Sequence, residues 1–278
     1  MSDDVNLNAY FERIGFAGSI APTLQTLETL HALHPAAIPF ENLNPLLDLP
    51  VPLDQPSLEQ KLLHDRRGGY CFEQNLLFLR VLRDLGFAVR GLAARVLWGH
   101  PEGSIRRRSH MLIAVDIAGS TYLADVGFGA QTPTAPIKLK ADVEQPTPHE
   151  PFRVIGENAP YRLELRLGED WRALYAVDFT EQYELDYEHA NYYLSTHPQS
   201  QFRQTLIAAR AEKGGRSALR GNRLTTRQTG AESERRVLAS VAEIKDVLTG
   251  VFGINLPSSD RLDPALQRVL ETAETLVD

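Results

Sequence analysis

The stretch Arg67-Gly68-Gly69-Tyr70-Cys71-Phe72-Glu73-Gln74-Asn75 holds the one cysteine of the 278-residue chain. Its two glycines permit a backbone turn that residues with a Cβ resist. The apolar-rich run from Phe72 to Leu85, closed by Gly86, predicts a helix that starts at the cysteine. A thiol there sits at the positive end of a helix dipole, which favours the thiolate and draws its pKa below the free value of about 8.5. Cys71 is therefore a candidate nucleophile. On position alone it also fits a structural cysteine, since free cysteines usually behave as small buried hydrophobes.

A nucleophilic thiol needs a base, and the base needs a group to orient it. Of eight histidines, His31, His34, His64, His100, His149 and His189 stand in polar or helical surroundings with no carboxylate on a neighbouring strand. His110 differs, because it begins the apolar run Met111 to Val115, where an ionisable group needs a reason to be. After a turn at Ala118-Gly119-Ser120, the segment Tyr122 to Val126 predicts the second strand of a hairpin. With paired residue numbers summing to about 236, His110 falls opposite position 126, one residue from Asp125; a bulge can re-aim either side chain. Such a pair suits a base and its orienter, or a structural pair holding the hairpin.

Further out, Asn8 to Gly86 reads as mainly helical. Tyr10, Phe11 and Ile14 have helical spacing, Thr23 to Leu33 forms a second helix and Ser57 to Asp65 a short third. Ile38-Pro39-Phe40-Glu41-Asn42-Leu43 fits neither regular element, and prolines at 45, 50, 52 and 56 keep the next stretch extended. Strand character runs through Phe87 to Trp98, Ser109 to Asp116, Phe152 to Ile155, Tyr161 to Leu167 and Trp171 to Phe179, which suggests a small barrel or curved sheet. Thr132 to Pro151, with five prolines, reads as an ordered surface loop. Helices follow at Asp186 to Leu194 and Phe202 to Glu212. Strands at Ala218 to Arg227 and Glu232 to Leu238 lead to a helix opened by a Ser240/Glu243 capping box, and Pro264 to Val277 forms the last helix.

Composition narrows the function. A net charge of -7 and a pI near 5.7 argue against nucleic acid as the main partner. Arg106-Arg107-Arg108 is a local exception that suits a solvated loop or a phosphate-bearing ligand. One cysteine makes no intramolecular disulfide, and Met1-Ser2-Asp3-Asp4 has no signal-peptide character, so a reducing cytoplasm is expected. No apolar run reaches the roughly 18 residues of a membrane span. Zinc sites need closer Cys and His spacing than occurs here, so no metal is expected. Gly127-Phe128-Gly129 is too short for a dinucleotide fingerprint.

The opening stretch resembles the active-site motif of the arylamine N-acetyltransferases. Ile38-Pro39-Phe40-Glu41-Asn42-Leu43, Ser109-His110-Met111, Asp125-Val126-Gly127-Phe128-Gly129 and His197-Pro198-Gln199-Ser200-Gln201-Phe202 are similar to that family's other signatures, in the same order. The resemblance implies an α+β multidomain fold in a papain-like arrangement. Residues 1–86 would form a helical bundle carrying the nucleophile, 87–194 a β-barrel carrying His and Asp, and 195–278 an α/β lid. The long insertion typical of the vertebrate enzymes between the last two is missing, as in the bacterial type.

It further implies a Cys71–His110–Asp125 triad that moves acetyl from acetyl-CoA, a co-substrate, to arylamines, arylhydrazines, arylhydroxylamines or hydrazides. The Cys71 N–H would face the oxyanion. Phe40 and Phe128 fall beside the acceptor pocket, and Ser109, Gly129 and Phe202 on the CoA side. The same triad would serve a papain-like peptidase, a transglutaminase or a thioesterase-like hydrolase, although the Cys-Gly-Ser-Cys-Trp pattern of papain enzymes is absent. A non-catalytic binder would have lost a triad residue. An amide-forming cyclase of macrolide-antibiotic biosynthesis shares these motifs.

Overall fold

The computed structural model describes residues 4–274. Its N-terminal helices are α1 (Leu7–Ile14), α2 (Leu24–Ala37), α3 (Leu43–Leu46), α4 (Gln55–Glu59) and α5 (Cys71–Asp84), with a short strand β1 (Phe40–Glu41) before α3. The helix over Ser57 to Asp65 begins earlier than expected, because Asp54 caps it and Pro56 fits its first turn. It continues as a π-helical turn, Gln60–His64. Pro45 lies inside α3, so that stretch is not extended throughout. From Cys71 to Leu82 every residue of α5 is buried, which makes it the central helix rather than a surface one.

A seven-stranded antiparallel sheet follows: β2 (Ala88–Val96), β3 (Arg108–Ile117), β4 (Ser120–Ala124), β5 (Ile137–Lys138), β6 (Phe152–Ile155), β7 (Tyr161–Leu167) and β8 (Asp170–Gln182), in the order β5-β4-β3-β2-β8-β7-β6. Bridges from Ala141 to Val154 and Gln145 to Phe152 bring the two edges together into a nearly closed barrel. Alternate residues of β3 serve different cores. Met111, Ile113 and Val115 pack with the helices, while Leu112 and Ala114 fill the barrel. Burial on both faces explains the unbroken apolar run.

The chain then forms α6 (Glu184–Thr196), α7 (Gln201–Gln204), β9 (Ile207–Glu212), β10 (Gly215–Arg220), β11 (Arg223–Gln228), β12 (Glu234–Val237), α8 (Val241–Gly250) and α9 (Leu262–Glu274). Phe202 to Glu212 is thus not one helix. Its alanines favour helix locally, but pairing with β1 and β10 outweighs that, and α2 packs across β9. Ala218 to Arg227 is not one strand either, because Gly221-Asn222 closes a two-residue hairpin turn. The helix expected over Pro264 to Val277 is α9 as far as Glu274, and residues 275 to 277 of that expectation lie outside the described residues. Among the described residues no helix is long and apolar enough to cross a membrane.

Within the segment Ile38 to Leu43, two residues do form a strand. Phe40 and Glu41 pair with Ala209 and Ala208 of β9, and Phe40 also bridges Gly69. The helical part and the C-terminal sheet therefore share a strand. Gly68 lies so close that a Cβ there would stand 2.0 Å from the Pro39 carbonyl oxygen. Backbone cannot yield as a flexible side chain would, so Gly68→Ala is expected to lower the melting temperature by roughly 5–10 °C, measured by calorimetry.

Two histidines lie fully inside the helical core. His34 contacts the Tyr10 hydroxyl through Nδ1 (2.9 Å) and Gln74 Oε1 through Nε2 (2.7 Å). Burial lowers His34 from 6.5 to about 3, and His31 to about 4. Below pH 6.5 the unfolded chain binds protons at both residues that the folded protein refuses, so their contribution to stability falls from pH 6.5 toward about 4. Burial raises Glu73, which works in the opposite sense nearer its own range. Denaturant titrations should show stability declining from pH 6.5 to 5, by up to about 1.4 kcal/mol per pH unit for each histidine. A His34→Gln variant should lose part of that slope.

Candidate active site

Cys71 is the first residue of α5, as its motif leads one to expect. The turn that delivers it rests on buried charge. Glu41 accepts from Arg67 Nε (2.9 Å) and from the Leu43 N–H (2.6 Å). Lys61 meets Glu73 at 2.6 Å, and the other Glu73 oxygen accepts the Tyr70 N–H at the head of α5 (3.0 Å). Burial alone would raise the Glu41 carboxyl, but the Arg67 and Lys61 cations hold it below the usual carboxylate range.

The hairpin reaches the cysteine from the other side. Ile117 pairs with Ser120 and Ile113 with Ala124, a sum of 237 where the sequence suggested about 236. Asp125 therefore lies just past the end of β4. Against β2, Ala94 pairs with His110 and Arg95 with Arg108, which leaves Ser109 as a bulge. The bulge brings the Ser109 carbonyl to 3.8 Å from Cys71 Sγ. Gly127 presses on α5 so closely that a Cβ would lie 3.0 Å from Cys71 Cα and 2.8 Å from Asn75 Nδ2.

His110 and Asp125 are 3% and 1% exposed, and His110 Nε2 stands 2.7 Å from Asp125 Oδ2. The other ring nitrogen, Nδ1, is not engaged by Asp125, and Cys71 lies near enough to act on the charge of the ring. Burial by itself would lower the His110 pKa. The Asp125 carboxylate, its hydrogen bond and the adjacent Cys71 outweigh burial and raise it to about 10. Asp125 is held low against its own burial by His110, Asn75 and the Gly127 N–H. The imidazole is thus set to carry a proton near neutral pH, beside a thiol.

Three residues of this site were not picked out from sequence. Asn75 donates to Met111 O (2.7 Å) and Asp125 Oδ1 (3.0 Å), and accepts the Val126 N–H (3.0 Å). His31 Nε2 accepts the Asp125 backbone N–H at 3.0 Å, so that nitrogen must be unprotonated. The Tyr175 ring lies 5.3 Å from the His110 ring. Position 31 did carry a signal, since it follows Leu27 and Leu30 on the buried stripe of α2.

The other expected site residues gather at the same place. Phe128 meets the His110 ring edge-on at 5.0 Å. Phe202 lies 5.3 Å from the Tyr70 ring and 6.1 Å from that of Phe40. Gly129, with φ of +79°, faces Phe40. The three arginines act apart from one another: Arg108 pairs with Asp178, Arg107 lies over the Tyr193 ring, and the Arg106 carbonyl accepts from Arg95. Among the described residues no group of three His, Cys, Asp or Glu is arranged to hold a metal ion.

This geometry has known counterparts. A sequence profile of the N-acetyltransferase family matches residues 23–261. The "Arylamine N-acetyltransferase / N-hydroxyarylamine O-acetyltransferase" of Salmonella typhimurium is 41% identical over 251 residues, covering 90% of this chain and 89% of the relative. The arylamine N-acetyltransferase of Escherichia coli is also 41% identical, with the same coverage. The solved structure of Mycobacterium marinum arylamine N-acetyltransferase in complex with CoA superposes with a TM-score of 0.91 at 37% identity, over 95% of this chain and 99% of that one. With motifs, fold and overall similarity in agreement across nearly its whole length, the chain belongs to the arylamine N-acetyltransferase family.

Proposed function

We propose that this protein transfers an acetyl group from acetyl-CoA to arylamines, arylhydrazines or arylhydroxylamines, with Cys71 carrying the group between them. The observation that carries this reading is the buried Cys71, His110 and Asp125 set in a chain of this family. The second activity in the Salmonella relative's name supports both nitrogen and oxygen acceptors, and the CoA complex of the Mycobacterium marinum protein supports a CoA thioester donor. Residues 1–86 would supply the nucleophile, 87–194 the base and its orienter, and 195–278 the cover.

In the first half-reaction the Cys71 thiolate, its proton already held by His110 as the imidazolium, attacks the thioester carbonyl. The C–S bond to CoA then breaks, and the CoA sulfur leaves with the proton from His110. In the second, the acceptor nitrogen or oxygen attacks the acetyl-cysteine, His110 takes the acceptor's proton, and Cys71 is regenerated. Asp125 keeps the imidazole in one orientation and stabilises its cation. The Cys71 N–H at the helix start would receive the oxyanion. Phe128, edge-on to His110, fits the acceptor side beside Phe40, while Ser109, Gly129 and Phe202 fit the approach of the CoA arm.

Initial-rate plots with both substrates should run parallel, and acetyl-CoA alone should leave an acetyl group on Cys71 detectable by mass spectrometry. A Cys71→Ala variant should show neither labelling nor turnover; turnover equal to the native enzyme would end the covalent mechanism. Absence of peptide cleavage together with amine-dependent CoA release distinguishes this reading from a hydrolase.

Asp125→Asn should keep the fold and lower kcat/KM by about 10³-fold or more, because the imidazolium loses its counter-charge. His31 acts through an acceptor atom. His31→Leu, which has none, should therefore lower kcat more than His31→Gln, which can still accept the Asp125 N–H. Equal kcat in these two variants would remove His31 from the mechanism.

A further inference from the structure

The C-terminal sheet sends one buried cation into the segment that follows Asp125. Arg216, on β10, is 6% exposed. Its Nη2 donates to the Thr132 carbonyl at 2.8 Å, and its Nη1 to the Ala130 carbonyl at 3.4 Å. Its Nε donates to Glu150 Oε2 at 2.8 Å, and Arg227 pairs with the other Glu150 oxygen. Glu150 lies in the proline-rich loop, so the guanidinium joins the C-terminal sheet to two separate parts of the barrel.

The turn it grips also holds the site. Thr132 Oγ1 donates to the Asp125 carbonyl (3.0 Å) and accepts the Phe128 N–H (3.2 Å). Between these contacts run Gly127, whose N–H binds Asp125 Oδ1 (3.0 Å), and Phe128, which lies against His110. Gly129 to Gln131 form a 3₁₀ turn packed against β9 and β10. Two carbonyls facing one way on so short a turn need a fork of donors, which a guanidinium supplies and an ammonium does only in part.

From this connection we infer that Arg216 is a positioning residue for acyl transfer: it fixes the Asp125–Thr132 turn, and through it the aim of Asp125 and Phe128 at His110. The role links docking of the C-terminal sheet to the reactivity of Cys71, although no side chain of that sheet is asked to touch the reacting atoms.

The turnover arm of the test rests on the functional reading above, and the alkylation arm does not. The full chain, native and with Arg216→Met, Arg216→Lys, Glu150→Gln or the control Arg166→Met, is assayed for alkylation of Cys71 by iodoacetamide across pH 5 to 10. kcat and KM for acetyl-CoA and an arylamine are measured alongside, with the melting temperature. Arg166 pairs with Glu144 and should change nothing. Arg216→Met should slow alkylation at neutral pH and lower kcat by about 10-fold, as expected for a small misplacement of reacting groups. Arg216→Lys should recover part of both, and Glu150→Gln should shift both in the same direction by less.

If Arg216→Met lowers only the melting temperature, with its alkylation profile and kcat within twofold of native, the residue is structural glue and the inference fails. If that variant does not fold, Arg216→Lys and Glu150→Gln decide; native-like alkylation and kcat in both also overturns it. A native protein that alkylates normally but never turns over acetyl-CoA would refute the functional reading and leave the alkylation comparison intact.

Discussion

The Asn75 carboxamide commits both its N–H donors and its oxygen to the barrel, the donors to Met111 and Asp125 and the oxygen to Val126. Asn75 sits one helical turn after Cys71, on the same face of α5. Its three bonds therefore set both the height and the rotation of the cysteine relative to the hairpin. An apolar residue of similar size would strip the buried Val126 N–H of its Asn75 acceptor and take one bond each from the Met111 carbonyl and the Asp125 carboxylate; a buried polar group left unsatisfied costs about 1–3 kcal/mol. A carboxylate would add a like charge beside Asp125. Gly127 completes the constraint, since only a residue without Cβ lets the hairpin lie this close to the helix backbone.

Beneath the cysteine turn, Glu41, Arg67, Lys61 and Glu73 form a nearly enclosed set of charges. Desolvation makes such clusters expensive, and replacing them with apolar groups often stabilises a protein. Here the carboxylates also bind backbone: Glu41 holds Leu43 N–H and Glu73 holds Tyr70 N–H. Their contribution is to shape. They hold an irregular turn in one conformation immediately before the nucleophile, where a purely apolar cluster would leave those amides free.

The helix beginning at Cys71, the His110 hairpin and most barrel strands could be read from sequence because local signals and tertiary demands coincide there. Gly119 marks the turn between two apolar runs, and Ala118 and Gly119 both adopt the positive φ of a two-residue hairpin turn. Failures came where long-range pairing overrode local preference. The alanines of Ile207–Glu212 look helical until Phe40 and Glu41 arrive as strand partners, and that segment gives no periodic signal of its own. His31 was passed over because its partner is a backbone N–H, which leaves no trace in residue identity. The same holds for the grip of Arg216 on the turn after Asp125, which is made through two carbonyls.

The strand Phe40–Glu41 lies between the cysteine turn at Gly69 and residues Ala208 and Ala209. Its neighbours in the sheet are thus some 170 positions later in the chain, a long loop to close before those contacts are rewarded. During synthesis the N-terminal helices emerge well before that partner exists. Until the C-terminal sheet is made, β1 presents an unpaired edge, the kind of surface that invites wrong partners. The strand beside the reactive turn therefore gains its second neighbour only once residues 208 and 209 have been made.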